Sequence, residues 1–154
     1  MQISETAHFN CPREVLWRYI EEPDRQKLWM KGLLSNESTS PGRTGVGSTF
    51  RMVIQEGRKP ATYEGDVTAY DKPRRLEIRF WGGCFPAGMI MRVDYRLTEV
   101  GAQTRLDYTS TVEGKRQGIL MRMLFVLFKV FGRMQLRSFF RKLKALVEAP
   151  SAAA

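Results

Sequence analysis

The sequence predicts an α+β fold: a curved antiparallel β-sheet wrapped around a long C-terminal α-helix, with two short helices after the first strand. Three observations predict it. Five runs between residues 49 and 112 alternate apolar and polar side chains with a period of two, as strands wetted on one face do. A final segment, about residues 117–148, changes to a helical period and keeps it. Short turn signals separate the five runs, so hairpins and not βαβ units connect them.

Residues 3–9 read as the first strand. Pro12 suits the first position of a helix, where its missing N–H costs nothing, with Asn10 or Cys11 as the cap. Val15, Leu16, Tyr19 and Ile20 then recur at helical spacing beside Trp17. Pro23-Asp24 breaks this helix, and residues 26–30 make a second short one ending at Gly32.

In the first alternating run Phe50, Met52 and Ile54 share a face; in the next, Tyr63, Gly65, Val67 and Ala69 do. Leu76, Ile78 and Phe80 alternate with Glu77 and Arg79. Met89, Met91, Val93, Tyr95 and Leu97 alternate with Arg92, Asp94 and Arg96. Leu106, Tyr108, Ser110 and Val112 alternate with Arg105, Asp107 and Thr109. Residues 57–60, 71–73 and 99–101 are the turns.

At 1.5 Å per residue the last helix is roughly 45–50 Å long, enough to cross a small domain. Leu136, Phe139 or Phe140, Leu143, Leu146 and Val147 form one stripe; Lys129, Arg133, Arg137, Arg141 and Lys144 form another. Pro150 and the alanine tail end it. Nine of the 25 Lys/Arg but one of the 16 Asp/Glu fall between Lys115 and Ala154, so eight of the nine net positive charges belong to this segment. Its upstream half, from Ile119 to Phe131, is apolar nearly all round. Two partners fit that surplus: a second copy meeting Leu120, Leu124, Phe128 or Phe131, or an anionic bilayer with the basic stripe at its headgroups. Nucleic acid is disfavoured, because the basic excess is confined to one greasy helix and the aromatic motifs of RNA-binding modules are absent.

A chain of 154 residues with 43% apolar content fits one globular domain. No signal-peptide pattern opens it, and Arg122 and Lys129 interrupt the longest apolar run, which argues against a membrane span. Cys11 and Cys84 have no metal-ligand spacing and are expected as reduced thiols of a cytoplasmic protein. His8, the single histidine, falls out of phase with Ile3, Ala7 and Phe9, which leaves no His-based triad or metal cluster. Residues 42–49 have the glycine spacing of a phosphate loop, but Ser48 stands where the lysine belongs and a strand follows, so they form a turn.

Four stretches carry a family resemblance: Pro12-Arg13-Glu14-Val15-Leu16-Trp17, Asp24 with Leu28-Trp29, Gly45-Val46-Gly47-Ser48-Thr49-Phe50, and the run from Tyr63-Glu64-Gly65-Asp66-Val67 to Lys72-Pro73-Arg74-Arg75-Leu76. On these the chain resembles the START-like (SRPBCC) ligand-binding superfamily, in its polyketide cyclase/dehydrase-like branch. The resemblance spans nearly the whole chain and implies a helix-grip fold: one ligand-binding domain over residues 1–149, followed by a disordered tail over 150–154. It implies a cavity between sheet and last helix for a small hydrophobic ligand, lipid-like or polyketide-like, and no cofactor or metal. The walls expected are Phe50, Met52, Tyr63, Phe80, Met89, Met91, Tyr95 and Tyr108 from the sheet, with Met123 and Leu127 from the helix. Methionine adapts to irregular ligands, and tyrosine adds a polar tip to an apolar wall.

A non-catalytic carrier or sensor is the first expectation. The alternative is a cyclase or dehydratase using Tyr63, Tyr95 or Tyr108 as acid or base. The inward faces carry no carboxylate apart from Glu56 at a strand end, which favours binding. Trp17 and Trp29 are expected to pack the short helices, and Trp81 to stand exposed beside Gly82-Gly83.

Overall fold

The computed structural model describes residues 1–114 and 118–149. Strand β1 (Gln2–Phe9) leads into helices α1 (Arg13–Glu21) and α2 (Pro23–Trp29) and then β2 (Leu33–Ser38). A meander follows: β3 (Thr49–Glu56), β4 (Lys59–Asp71), β5 (Arg75–Gly82), β6 (Ile90–Val100) and β7 (Gln103–Glu113); α3 (Ile119–Val147) comes last. All seven strands join one antiparallel sheet in the order β1-β7-β6-β5-β4-β3-β2. The two earliest strands are therefore the two edges, and α1 and α2 carry the chain from one edge to the other. No helix among the described residues is long and apolar enough to cross a membrane. The tail expected over residues 150–154 lies outside the described residues.

Strand β2 was not expected. Its sequence, Leu33-Leu34-Ser35-Asn36-Glu37-Ser38, buries only Leu33 and has a register shift between Leu33 and Ser35. Backbone pairing with β3 defines it, and an edge strand needs no apolar alternation to be held that way. Helix α1 starts one residue later than expected. The Pro12 carbonyl accepts the Val15 and Leu16 N–H groups at 3.1 and 3.3 Å, with no side-chain cap from Asn10 or Cys11. Helix α2 begins at Pro23 rather than Gln26, since proline at the first helical turn continues a helix forward.

A bulge in β4 corrects the face assigned to Ala69. Val67 pairs with Ile78, but the next inward residue, Tyr70, pairs with Leu76 because Thr68 is extra. An inserted residue reverses the alternation beyond it. Tyr70 therefore meets the Trp17 ring edge-on at 5.7 Å and donates its hydroxyl to Glu21, which also accepts from Trp17 Nε1 at 2.7 Å. Burial and the Glu21 carboxylate push the Tyr70 phenol up.

The main core lies where α1, α2 and the second half of α3 cover β1, β7 and β6. Phe9, Leu16, Trp17, Leu106 and Leu143 are wholly enclosed there. From α3, Leu136, Phe140, Leu143 and Val147 are buried, each contributing about 1.5–3 kcal/mol of hydrophobic stabilisation. A smaller cluster of Leu33, Met52 and Tyr63 sits at the β2–β4 end, flanked by Phe50, Ile54 and Phe85. Met30 and Phe80 border both. On the opposite face of the sheet, cross-strand pairs such as Arg79–Asp66 (2.5 Å), Arg92–Glu77 (2.9 Å) and Arg75–Asp94 (3.1 Å) form a charged ladder.

Candidate functional site

The inner face of the sheet carries a row of large side chains: Phe50 and Met52 on β3, Tyr63 on β4, Phe80 on β5, Met91 and Tyr95 on β6, Tyr108 on β7. Register places Met52 opposite Tyr63, Phe80 opposite Met91, and Tyr95 opposite Tyr108. Phe50, Met52, Tyr63 and Phe80 belong to the smaller cluster; Phe80, Met91, Tyr95 and Tyr108 belong to the main one. Phe80 is thus the hinge between two apolar groups. Phe50, Phe80, Met91 and Tyr108 are only half-buried although they face the helix side. Helix α3 packs on β1, α1 and α2 and reaches β7 through Phe140, whose ring lies 5.7 Å from Tyr108. Phe50, Phe80, Met91 and Tyr108 keep part of their surface uncovered, and their row is the candidate ligand trough. Met89 is buried but belongs to neither cluster.

Met123 and Leu127 do not join this row. They are 65% and 58% exposed. At 3.6 residues per turn they lie about 200° and 160° round the helix from the enclosed Leu143, on its outer side. Gly132, whose added Cβ would lie 3.2 Å from Ile3 Cδ1, continues the buried stripe upstream. Met123 and Leu127 therefore face outwards, which corrects their placement in the ligand wall. The side chains of Leu120, Leu124 and Phe128 lie outside those described; Phe131 is exposed.

Two polar arrangements border the trough. In the first, the Tyr63 hydroxyl donates to Glu56 Oε1 and stands 3.2 Å from Cys84 Sγ, while the Cys84 N–H donates to it at 3.5 Å. The β3–β4 hairpin brings Glu56 opposite Lys59, and the β5–β6 loop folds Gly83 onto the Tyr63 ring. Gly83 has φ +54° and a Cβ there would fall 2.2 Å from Tyr63 Cζ, so only glycine permits this approach. Phe85 completes the cage, 5.2 Å from Tyr63 and stacked at 5.8 Å on Phe80. An open groove of about 430 Å³ runs beside it, lined by Glu56, Lys59, Pro60, Ala61, Thr62, Gly83 and Cys84.

Burial first, then hydrogen bonding to Cys84 and Glu56, pushes the Tyr63 phenol well up, so it stays a neutral donor. Burial also raises the Cys84 thiol, which is the opposite of what a nucleophilic thiolate needs. Cys84 is a turn residue, as its surroundings in the sequence suggested, yet its sulfur touches a phenol that also touches a carboxylate. That contact joins residues 21 positions apart, and no local spacing announces it.

The second arrangement was missed although its signal was present. Glu5 alternates in phase with Ile3 and Phe9, so it points inward, opposite Tyr108 in register. Two carboxylates, Glu5 and Glu56, therefore border the inner face, and not Glu56 alone. Glu5 is 16% exposed and lies 3.6 Å from Arg133 Nε and 3.2 Å from Arg137 Nη2. It ties α3 to the edge strand. Deeper in, Tyr95 and Tyr108 meet edge-on at 5.3 Å. Burial raises both phenols, Tyr108 to about 12. His8 is exposed, and Trp81 is 38% exposed beside Gly82.

Residues 1–148 match the family described as polyketide cyclase / dehydrase and lipid transport. No curated protein matches the chain. Among solved structures, a protein from Nitrosomonas europaea aligns with TM-score 0.74 and 15% identity over 99% of this chain and 97% of its own. One from Thermus thermophilus aligns with TM-score 0.72 and 18% identity, covering 94% and 95%. The Zhui aromatase/cyclase from a Streptomyces species aligns with TM-score 0.70 and 14% identity, covering 97% and 96%. At these identities the likenesses establish the fold, and the match along the sequence establishes the family: the chain belongs to the polyketide cyclase/dehydrase and lipid transport family, with the SRPBCC helix-grip architecture.

Proposed function

We propose that the chain binds a small apolar molecule, lipid-like or polyketide-like, along the trough between its two apolar clusters, and carries or senses it without turning it over. The observation that carries this reading is the half-buried state of Phe50, Phe80, Met91 and Tyr108 on the inner face. Large apolar groups so placed still have contact area to offer, and burying it against a ligand releases about 25 cal/mol per Å². Tyr63, Tyr95 and Tyr108 supply polar tips in that wall. Native mass spectrometry of gently purified protein, followed by organic extraction, tests the reading. A discrete apolar species should co-purify with the wild type and be absent from Met91→Glu. Empty protein, under conditions in which a control carrier keeps its ligand, would overturn it.

The Glu56–Tyr63 contact favours a second reading, a cyclase or dehydratase, and a structural relative is named as an aromatase/cyclase. Here Glu56 would take a proton alpha to a ketone while the neutral Tyr63 phenol donates to the oxygen on which charge develops. Tyr63→Phe separates the readings. Under the enzyme reading it abolishes turnover of a poly-β-ketone chain and keeps ligand affinity within a few-fold; under the carrier reading there is no turnover to lose.

A further inference from the structure

The outer side of α3 has no role in the trough, and its chemistry changes along its length. Ile119, Met123, Val126, Leu127, Val130 and Met134 are each between 55% and 80% exposed and fall on one side of the helix. Arg137 and Arg141 continue that line, three and seven residues beyond Met134, and both are exposed. Lys144 follows at one flank with half its side chain in water. Two acids stand near this end: Glu148, which accepts from the Asn10 N–H at 2.9 Å and lies 3.9 Å from Lys144 Nζ, and Glu5, 3.2 Å from Arg137 Nη2, so Arg141 is the cation of the strip farthest from a carboxylate. The exposed strip thus passes from apolar to cationic over about seven turns.

We infer that this strip docks on an anionic lipid bilayer, its apolar half entering the boundary of the acyl chains and its cationic half lying against the headgroups. Charge argues for this partner, because eight of the nine net positive charges of the chain are in its last forty residues. Such a surface attracts a phosphate-rich layer and repels a second copy of itself. An interfacial helix needs an apolar side, adjacent cations and a depth of about 5–10 Å, and this strip supplies the apolar side and the cations. Glu5 holds α3 by Arg133 and Arg137, so the strip is presented by a helix already fixed to the sheet. The inference does not depend on what fills the trough.

Flotation of the full chain with phosphatidylcholine vesicles, with and without phosphatidylserine, tests it. The wild type should float only with the anionic vesicles and should be released by salt. Arg141→Gln and Lys144→Gln should each weaken binding about fivefold. The triple variant Met123→Ser, Leu127→Ser, Val130→Ser should weaken it about a hundredfold or more, with circular dichroism and Tm unchanged because all three side chains are exposed. No flotation, or equal flotation with neutral vesicles, overturns the inference without touching the ligand reading. A concentration-dependent dimer that the triple substitution dissolves, with no flotation, overturns it in favour of a second copy.

Discussion

Tyr63 shows how much one side chain integrates. Its ring closes the smaller apolar cluster, while its hydroxyl links a strand-end carboxylate to a loop thiol. Neighbouring glycines make room for such crowding. Gly65, next inward on the same strand, faces Phe50 so closely that a Cβ would fall 2.4 Å from both Phe50 Cζ and the Arg79 carbonyl oxygen. The ring could turn aside, but the carbonyl belongs to a paired strand and cannot. Gly65→Ala should therefore lower stability by about 1–3 kcal/mol, as overpacking does, read as a lower denaturation midpoint in urea. An unchanged midpoint would mean that β4 and β5 are not held at this spacing.

Helix α3 is two helices in one as far as packing is concerned. Its second half is a core element, with Leu143 fully enclosed and Phe140 bridging Phe9 and Tyr108. Its first half turns an apolar side to the surroundings. Leu143→Ala should cost about 2–5 kcal/mol through lost burial and the cavity left behind. Met123→Ala should stay within about 0.5 kcal/mol, since its side chain has little packing to lose. Equal costs at the two positions, measured by chemical denaturation, would place Met123 inside and the outer strip elsewhere.

At the scale of the whole molecule, buried phenols and a buried thiol set the alkaline limit of stability. Cys11, enclosed beside Glu148, is raised from 9.0 to about 11, mainly by burial. Tyr108 is raised from 10.0 to about 12, and Tyr95, Tyr63 and Tyr70 are raised as well. In each case the folded state holds a proton that the unfolded chain releases. The stabilisation is complete below pH 9.0 and is lost as pH rises, first through Cys11 between 9.0 and about 11, then through the tyrosines. Denaturation midpoints measured at successive pH values should fall steadily above pH 9.0, and Cys11→Ser should flatten the earliest part of the fall. A flat profile up to pH 11 would contradict the enclosure of these groups.

Patterns that repeat within a few residues were enough to determine the fold class, the five hairpin strands and the buried stripe of α3. Alternation in β3, β5, β6 and β7 and helical spacing from Leu136 to Val147 are local consequences of which side meets water. The same alternation contained Glu5, which was legible and went unread. Strand β2 was not legible, because an edge strand of Ser, Asn and Glu is defined by its hydrogen-bonded neighbour. Nor was the reversal at Tyr70, because one inserted residue at Thr68 shows only in the register against β5. The meeting of Glu56, Tyr63 and Cys84 joins a hairpin tip to a distant loop, and only the closed sheet decides that distance. The side on which Met123 and Leu127 fall depends on how α3 is rotated by its anchors: Leu143 in the core, Gly132 against Ile3, and Arg133 and Arg137 on Glu5. Local periodicity depends on neighbours in the chain and can be read from it; rotation, register and cross-loop contacts depend on neighbours in space.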